Sequence, residues 1–188
     1  MTPHYPDAIQ LPFNGPSGGT YLAHVPFRGV LHTAESKDYH PSTTTYFGHS
    51  NPPHFTVVKK AATTRVYQHY SINVAARALA NPTRQVDDVQ TNRLAAIQIE
   101  ICWYAAQIQS LPVEIKDALR ALMRWIETEA GIQRVSPEFF GDEAYGEGGV
   151  ARMSTQKWLQ FNGWCGHQHV PENVHWDPGL IDIGYLLT

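Results

Sequence analysis

Ala95-Ala96-Ile97-Gln98-Ile99-Glu100-Ile101-Cys102 is the strongest run of the chain. Ile97, Ile99 and Ile101 alternate with Gln98 and Glu100, the period of a β-strand with two distinct faces. The aliphatic face belongs to a core. A glutamate on the other face suits a surface open to water, unless chemistry holds it there.

Working outward from this strand, Tyr21 to His32 (YLAHVPFRGVLH) is apolar and β-branched and reads as a second strand ending at His32. His54 to Val58 and Thr64 to Tyr70 are β-rich runs that form a hairpin through Lys59 to Thr63. Ser36 can cap a helical turn over 37–53, and 72–92 is irregular. On the other side, residues 112–130 carry Ile115, Ala118, Leu119, Leu122, Trp125 and Ile126 at helical spacing. Ser110 is a candidate N-cap, Pro112 fits the first turn, and Gly131 stands where a C-terminal glycine belongs. Residues 131–153 are glycine-rich and acidic and read as a long loop, followed by a short helix from Ser154 to about Phe161. Residues 1–19 read as an extended arm over the surface. Strands alternating with helices, with a hairpin between them, predict an α/β fold: one domain over 1–188, with a central mixed β-sheet flanked by helices.

Composition narrows the function. The chain has 188 residues, 43% hydrophobic and 16% charged, which fits one globular domain with a real core. A net charge of -3 provides no basic surface for nucleic acid. No apolar run reaches the length of a membrane span, so no membrane partner is expected. The N-terminus lacks the basic start and apolar stretch of a secretory signal, which predicts synthesis into a cytoplasm. Cys102 and Cys165 are too few for a disulfide framework and read as buried thiols.

Chemistry concentrates in Gly166-His167-Gln168-His169-Val170-Pro171-Glu172-Asn173-Val174-His175-Trp176-Asp177-Pro178-Gly179. Proline and glycine place these histidines and carboxylates on a shaped loop. Imidazole and carboxylate suit a first-row divalent metal, zinc above all, which in catalytic sites takes three protein ligands. The end of a buried strand is a rigid place for the missing ligand, which singles out His32. Cys165 and His169 are rival donors. His54 opens a strand and reads equally well as a cleft residue or a packing one. His4, His24, His40, His49 and His69 read as surface or packing residues. Tyr46, Trp103, Trp164 and Trp176 read first as packing, with stacking on sugar faces as the alternative.

In order and spacing, VLHTAES (30–36), HFTV (54–57), IQIE (97–100), and GH followed ten residues later by DPG resemble the zinc-dependent N-acetylmuramoyl-L-alanine amidases. WCGHQHVPENVHWDPG is most similar to the amidase domains of endolysins from phages of actinobacteria. The likeness runs from about Arg28 to Gly179. It implies a fold like the peptidoglycan amidases and recognition proteins, and a zinc ion held by His32, His167 and Asp177. It implies Glu100 as the catalytic carboxylate. Many members have a lysine two residues before the third ligand; this chain has His175 there, so the oxyanion role falls to His175 or to the metal. His54 and Trp176 are the candidate substrate contacts. The spacing ranks His169 below His167 as a ligand and gives it a supporting role.

The implied reaction is hydrolysis of the amide between N-acetylmuramic acid and L-alanine in peptidoglycan, by a monomeric phage endolysin. It would be made in the host cytoplasm and reach the wall after the membrane is permeabilised. A non-catalytic peptidoglycan-binding module is the alternative, and a metal-dependent nuclease is a third reading that the acidic charge disfavours.

Overall fold

The computed structural model describes residues 4–22, 24–37, 51–79, 91–138, 140–142, 149–171 and 174–188. Its strands are β1 (Ile9–Gln10), β2 (Arg28–Thr33), β3 (Phe55–Lys60), β4 (Thr63–Gln68), β5 (Ala96–Ile101) and β6 (Trp164–Gly166). Its α-helices are α1 (Val113–Ala130), α2 (Thr155–Gln160) and α3 (Ile183–Leu187). The strands form one sheet in the order β1-β4-β3-β5-β2-β6. Only β3 and β4 run antiparallel; every other neighbouring pair is parallel. This is the α/β fold with a mixed sheet and a central hairpin that the alternation of elements predicts.

Every residue of β5 and β2 is buried. That is the expected state of parallel strands covered on both faces. On one face Ile97, Ile99 and Ile101 join Leu31, Phe55 and Val57 against Ile115, Leu119, Leu122, Met123 and Ile126 of α1. On the other, Val30, Ala96 and Cys165 pack with Leu79, Met153 and Trp158 of α2. Each such aliphatic side chain contributes about 1.5–3 kcal/mol relative to exposure. Gln98 is fully buried and Glu100 is 7% exposed. The polar face of β5 is therefore not open to water.

Several boundaries differ from the sequence reading. β2 begins at Arg28, not Tyr21, because Pro26 has no N–H to give a ladder; the Arg28 N–H bonds Ala95 O at 3.0 Å. The hairpin turn narrows to Ala61 and Ala62, with Ala61 at φ 54. The arm is not wholly a surface feature. Ile9–Gln10 adds a parallel edge strand beside Tyr67–Gln68, and Tyr5 is buried with its ring 5.3 Å from Trp125. Ser110 does not cap α1. It ends a 3-10 helix (Ala105–Ser110), its hydroxyl donates to Gln107 O, and Pro112 takes the N-cap position with no side-chain bond. Gly131 closes α1 as expected, at φ 67 with its N–H on Glu127 O. Ser154 caps α2 by accepting from Lys157 N–H. The described parts of 131–153 hold neither strand nor helix. The expectations for 38–50, including His40, Tyr46 and His49, and for 80–90 lie outside the described residues.

One position on β2 depends on having no side chain. A Cβ at Gly29 would sit 2.0 Å from the ring of Trp164. The indole lies across that gap and donates from Nε1 to Glu127 Oε1 at 2.9 Å. Glycine at 29 thus sets how closely β6 and its anchor approach β2.

Candidate metal centre

β2 and β5 run in register with His32 opposite Glu100. β6 pairs with the other side of β2, Gly166 opposite Leu31. The next residue, His167, opens a 3-10 turn (His167–His169) and comes out of the sheet beside His32. The pleat sends Val30, His32, Gln98 and Glu100 to one face, so register alone gathers an imidazole and a carboxylate from neighbouring strands.

Asp177 arrives from the loop that follows, and the chain holds it there in several ways. Its carbonyl accepts from the Gln168 N–H at 2.9 Å, and its Oδ2 accepts from the Thr33 N–H at 3.3 Å. Gln168 is fully buried; its Nε2 donates to Trp176 O and Gly179 O, and its Oε1 accepts from Gly141 N–H. Arg152 donates to Gln168 O at 2.8 Å and to His175 O at 2.9 Å. Gly166 makes room, since a Cβ there would lie 2.5 Å from Pro178 Cδ. Gln168 and Arg152 had no signal in the sequence reading, because carbonyl partners leave no pattern of residue types.

The result is a buried triangle of donors. His32 Nδ1 lies 3.2 Å from His167 Nδ1 and 3.6 Å from Asp177 Oδ2, and His167 Nδ1 lies 3.3 Å from Asp177 Oδ1. A tetrahedral ion with ligand bonds of about 2.0–2.1 Å has edges of about 3.3–3.4 Å between donors. The distance between the imidazole nitrogens, and the distance from each to its neighbouring oxygen of the Asp177 carboxylate, lie within a few tenths of an ångström of that figure. His32, His167 and Asp177 are the group among the described residues able to hold a metal ion together. The donor chemistry also fits. Burial, then the neighbouring His167, pushes His32 down to about 3 and keeps it neutral. Burial raises Asp177, but His167, His32 and His175 outweigh it and hold the carboxyl at about 2. A neutral imidazole and an ionised carboxylate are the ligand forms a cation needs.

The other sequence candidates fall into place around this triangle. Glu100 is buried one strand from His32. His175 is exposed, stacks on His167 with ring centroids 4.2 Å apart, and has Nδ1 3.6 Å from Asp177 Oδ1. His169 is buried and turns to the backbone, its Nδ1 accepting from Gly166 N–H at 3.0 Å with its ring edge-on to Phe140. It is not one of the converging donors. Nor is Cys165, whose thiol packs one rung back beside Val30, with burial pushing its pKa up to about 12.

His54 is not a cleft residue. It is fully buried; Nδ1 accepts from Gln98 N–H, and Nε2 meets Val74 O and the Tyr21 hydroxyl, each at 2.9 Å. With both nitrogens committed to the chain, it ties the start of β3 to β5. His69 is likewise internal, between Thr56 Oγ1 and Leu11 O. His4 and His24 are exposed, and Trp164 is core. Trp103 is half-buried under the Lys37 ammonium, 4.0 Å from its ring. Trp176 is half-buried, its carbonyl held by Gln168.

No family model and no curated protein sequence matches the chain. Solved structures do resemble it. A selenomethionine derivative of AmpD superposes with a TM-score of 0.60 at 12% identity, covering 99% of this chain and 96% of that one. The N-acetylmuramoyl-L-alanine amidase LysC from Clostridium intestinale gives 0.56 at 12% identity, over 97% and 95%. The Ph2119 endolysin from a Thermus scotoductus bacteriophage gives 0.54 at 13% identity, over 93% and 90%. At such identities the likeness is one of architecture: the chain has, over nearly its whole described length, the fold of these three proteins.

Proposed function

We propose that this chain is a zinc-dependent N-acetylmuramoyl-L-alanine amidase, acting on peptidoglycan as a phage endolysin does. The observation that carries the reading is the convergence of His32, His167 and Asp177 at donor spacings suited to a small tetrahedral cation. Zinc is the choice because two imidazoles and one carboxylate match its donor preference, with a fourth position left for substrate or water. Two of the proteins that share the fold are described as an N-acetylmuramoyl-L-alanine amidase and an endolysin, which supports the same substrate class. Among the described residues no helix is long and apolar enough to cross a membrane. In this reading another protein opens the way from the host cytoplasm to the wall.

An amide is a weak electrophile and water a weak nucleophile, so both need activation. The chemistry a zinc ion supplies when held by these three residues is Lewis-acid polarisation of the carbonyl and acidification of water. Glu100, opposite His32 on the same face, takes the proton from the attacking water and passes it to the leaving nitrogen. The new bond joins water oxygen to the lactyl carbonyl carbon, and the bond to the L-alanine nitrogen breaks. His175, exposed beside Asp177, donates an N–H to the oxygen on which charge develops.

Digestion of purified actinobacterial peptidoglycan, followed by mass spectrometry, tests the reading. Stem peptides with a free L-alanine amino terminus, and glycan strands left intact, are expected. Cleavage between sugars or within the peptide would overturn it. Binding without release of fragments would favour a recognition module, and cutting of plasmid DNA abolished by Glu100→Gln a nuclease.

A further inference from the structure

A hollow of about 360 Å³ lies where the N-terminal arm, β4 and α1 meet, with β3 and β5 between it and the strand that carries His32. Its size is within the roughly 300–1,000 Å³ of small-molecule sites. β1 pairs with β4 only at Tyr67 and Gln68, so no strand lies beside Thr63–Val66 on that side. Peptide groups of an antiparallel strand alternate between its two sides, and those of this stretch that do not bond β3 are turned to the open edge. Arm residues close the hollow and are held in place. Tyr5 N–H donates to Gln68 Oε1 at 2.9 Å, and Ile9 is in register with Tyr67. Burial, then the Asp7 carboxylate beside it, raises the Tyr5 phenol, which keeps its proton. Ile9, Val66 and Ala118 are the apolar part of the lining. Asp7 and Arg65 bring opposite charges to it; both are exposed, and neither enters an ion pair with another described residue. Thr64 lines it too, and its Oγ1 is buried with no hydrogen-bond partner.

A ligand of net charge would be drawn to one of Asp7 and Arg65 and repelled by the other. An uncharged polyol suits both, since its hydroxyls donate to a carboxylate and accept from a guanidinium. A secondary amide suits an open strand edge, which has an N–H for its oxygen and a carbonyl for its nitrogen. A methyl group suits the surface of Ile9, Val66 and Ala118. A sugar with an N-acetyl group unites the three. A zwitterionic dipeptide also matches the charges, but exposed ion pairs contribute only about 0–1 kcal/mol. We propose that this hollow binds an N-acetylated sugar of the glycan strand, at a point remote from the metal centre. The choice of glycan rests on the amidase reading. A second hold on the same strand would keep the chain at the wall between cleavages and raise the effective concentration of uncut amides at the metal centre.

Nuclear magnetic resonance titration of the zinc-loaded protein tests this without requiring turnover, with tri-N-acetylchitotriose, cellotriose and alanylalanine as probes. The first should move the backbone amide signals of Ile9, Thr64, Arg65 and Val66 until they saturate. Cellotriose has the rings and hydroxyls but no acetyl groups, and should bind there about 10-fold more weakly or worse. Asp7→Asn and Arg65→Gln change exposed positions, so the fold and zinc content should hold while binding of the acetylated sugar weakens by about 5-fold or more. The site would be overturned by an absence of saturable shifts at these amides, by equal binding of cellotriose, by a preference for alanylalanine, or by undiminished binding in both variants. Failure of the amidase reading shows separately, as absence of stem-peptide release from the wall.

Discussion

His32 and Glu100 are register partners on adjacent parallel strands, so their side chains leave the sheet on one face, one strand apart. Proton transfer by Glu100 is the step this pairing serves. Glu100→Gln keeps the shape and removes the base. Amidase turnover should drop by about 10²–10⁴-fold while zinc content stays at the wild-type level. Activity within a few-fold of wild type would remove Glu100 from the mechanism.

Removing a donor should empty the centre. His32→Ala protein should lose bound zinc, measured by atomic emission after dialysis. A chelator should lower the wild-type melting temperature by about 5–10 °C, the equivalent of a ligand at roughly 100 times its Kd. The same chelator should leave His32→Ala unmoved. An equal response in both proteins would place the metal elsewhere.

Gln168 tests whether the loop's internal bonds position the donors. Gln168→Ala strips partners from Trp176 O, Gly179 O and Gly141 N–H, none of which touches a cation. Zinc affinity should fall by about 10–100-fold in competition with a chromogenic chelator, with the far-ultraviolet dichroism intact. Unaltered affinity would make Gln168 a packing residue only.

His69 predicts a pH effect on stability. Burial pushes its pKa down to about 4 from an ordinary 6.5, so the folded chain holds the ring neutral. The unfolded chain takes up a proton as pH falls through 6.5. The stabilisation is therefore complete above pH 6.5 and is lost progressively toward pH 4. For zinc-free protein, the wild type should lose about 2 kcal/mol more than His69→Gln between pH 7 and pH 5 in urea unfolding. Parallel curves would show that His69 is not neutral in the fold.

Gly29 tests the close approach of β6 to β2. Gly29→Ala drives a methyl into the Trp164 ring and should destabilise by about 1–3 kcal/mol. The indole's hydrogen bond to Glu127 should be disturbed with it, visible as a shift in the Nε1–H resonance. A neutral substitution would mean that the ring moves aside freely.

What the sequence revealed depended on whether an element is defined by its own residues or by distant ones. The alternation around Ile97, Ile99 and Ile101 and the stripe from Ile115 to Ile126 are local patterns with strong periods, and both elements are where they were read. β1 and β6 are two and three residues long, too short for any period, and exist only through pairing with Tyr67–Gln68 and Gly29–Leu31. Ser110 looked like a cap because its residue type fits, but the 3-10 helix before it claims its hydroxyl. At the site, residue types alone left Cys165 and His169 as rival donors in a chain with 10 histidines, and the set His32, His167 and Asp177 came from the order and spacing of the motifs that resemble the amidases. Gln168 and Arg152 were not legible, since they act through backbone carbonyls. His54 misled because a histidine at a strand start looks the same whether it faces a cleft or, as here, commits both ring nitrogens to internal partners.

β6 lies outermost in the sheet and is joined to its neighbour along only three positions. Short outer strands detach more readily than inner ones. His32 and His167, 135 positions apart along the chain, stand on opposite sides of that seam. A cation shared between them would act as a clasp, so peeling β6 away would first require breaking coordination. Amide-proton exchange at Trp164–Gly166 should then slow on loading with zinc, while exchange in the β3–β4 hairpin keeps its pace.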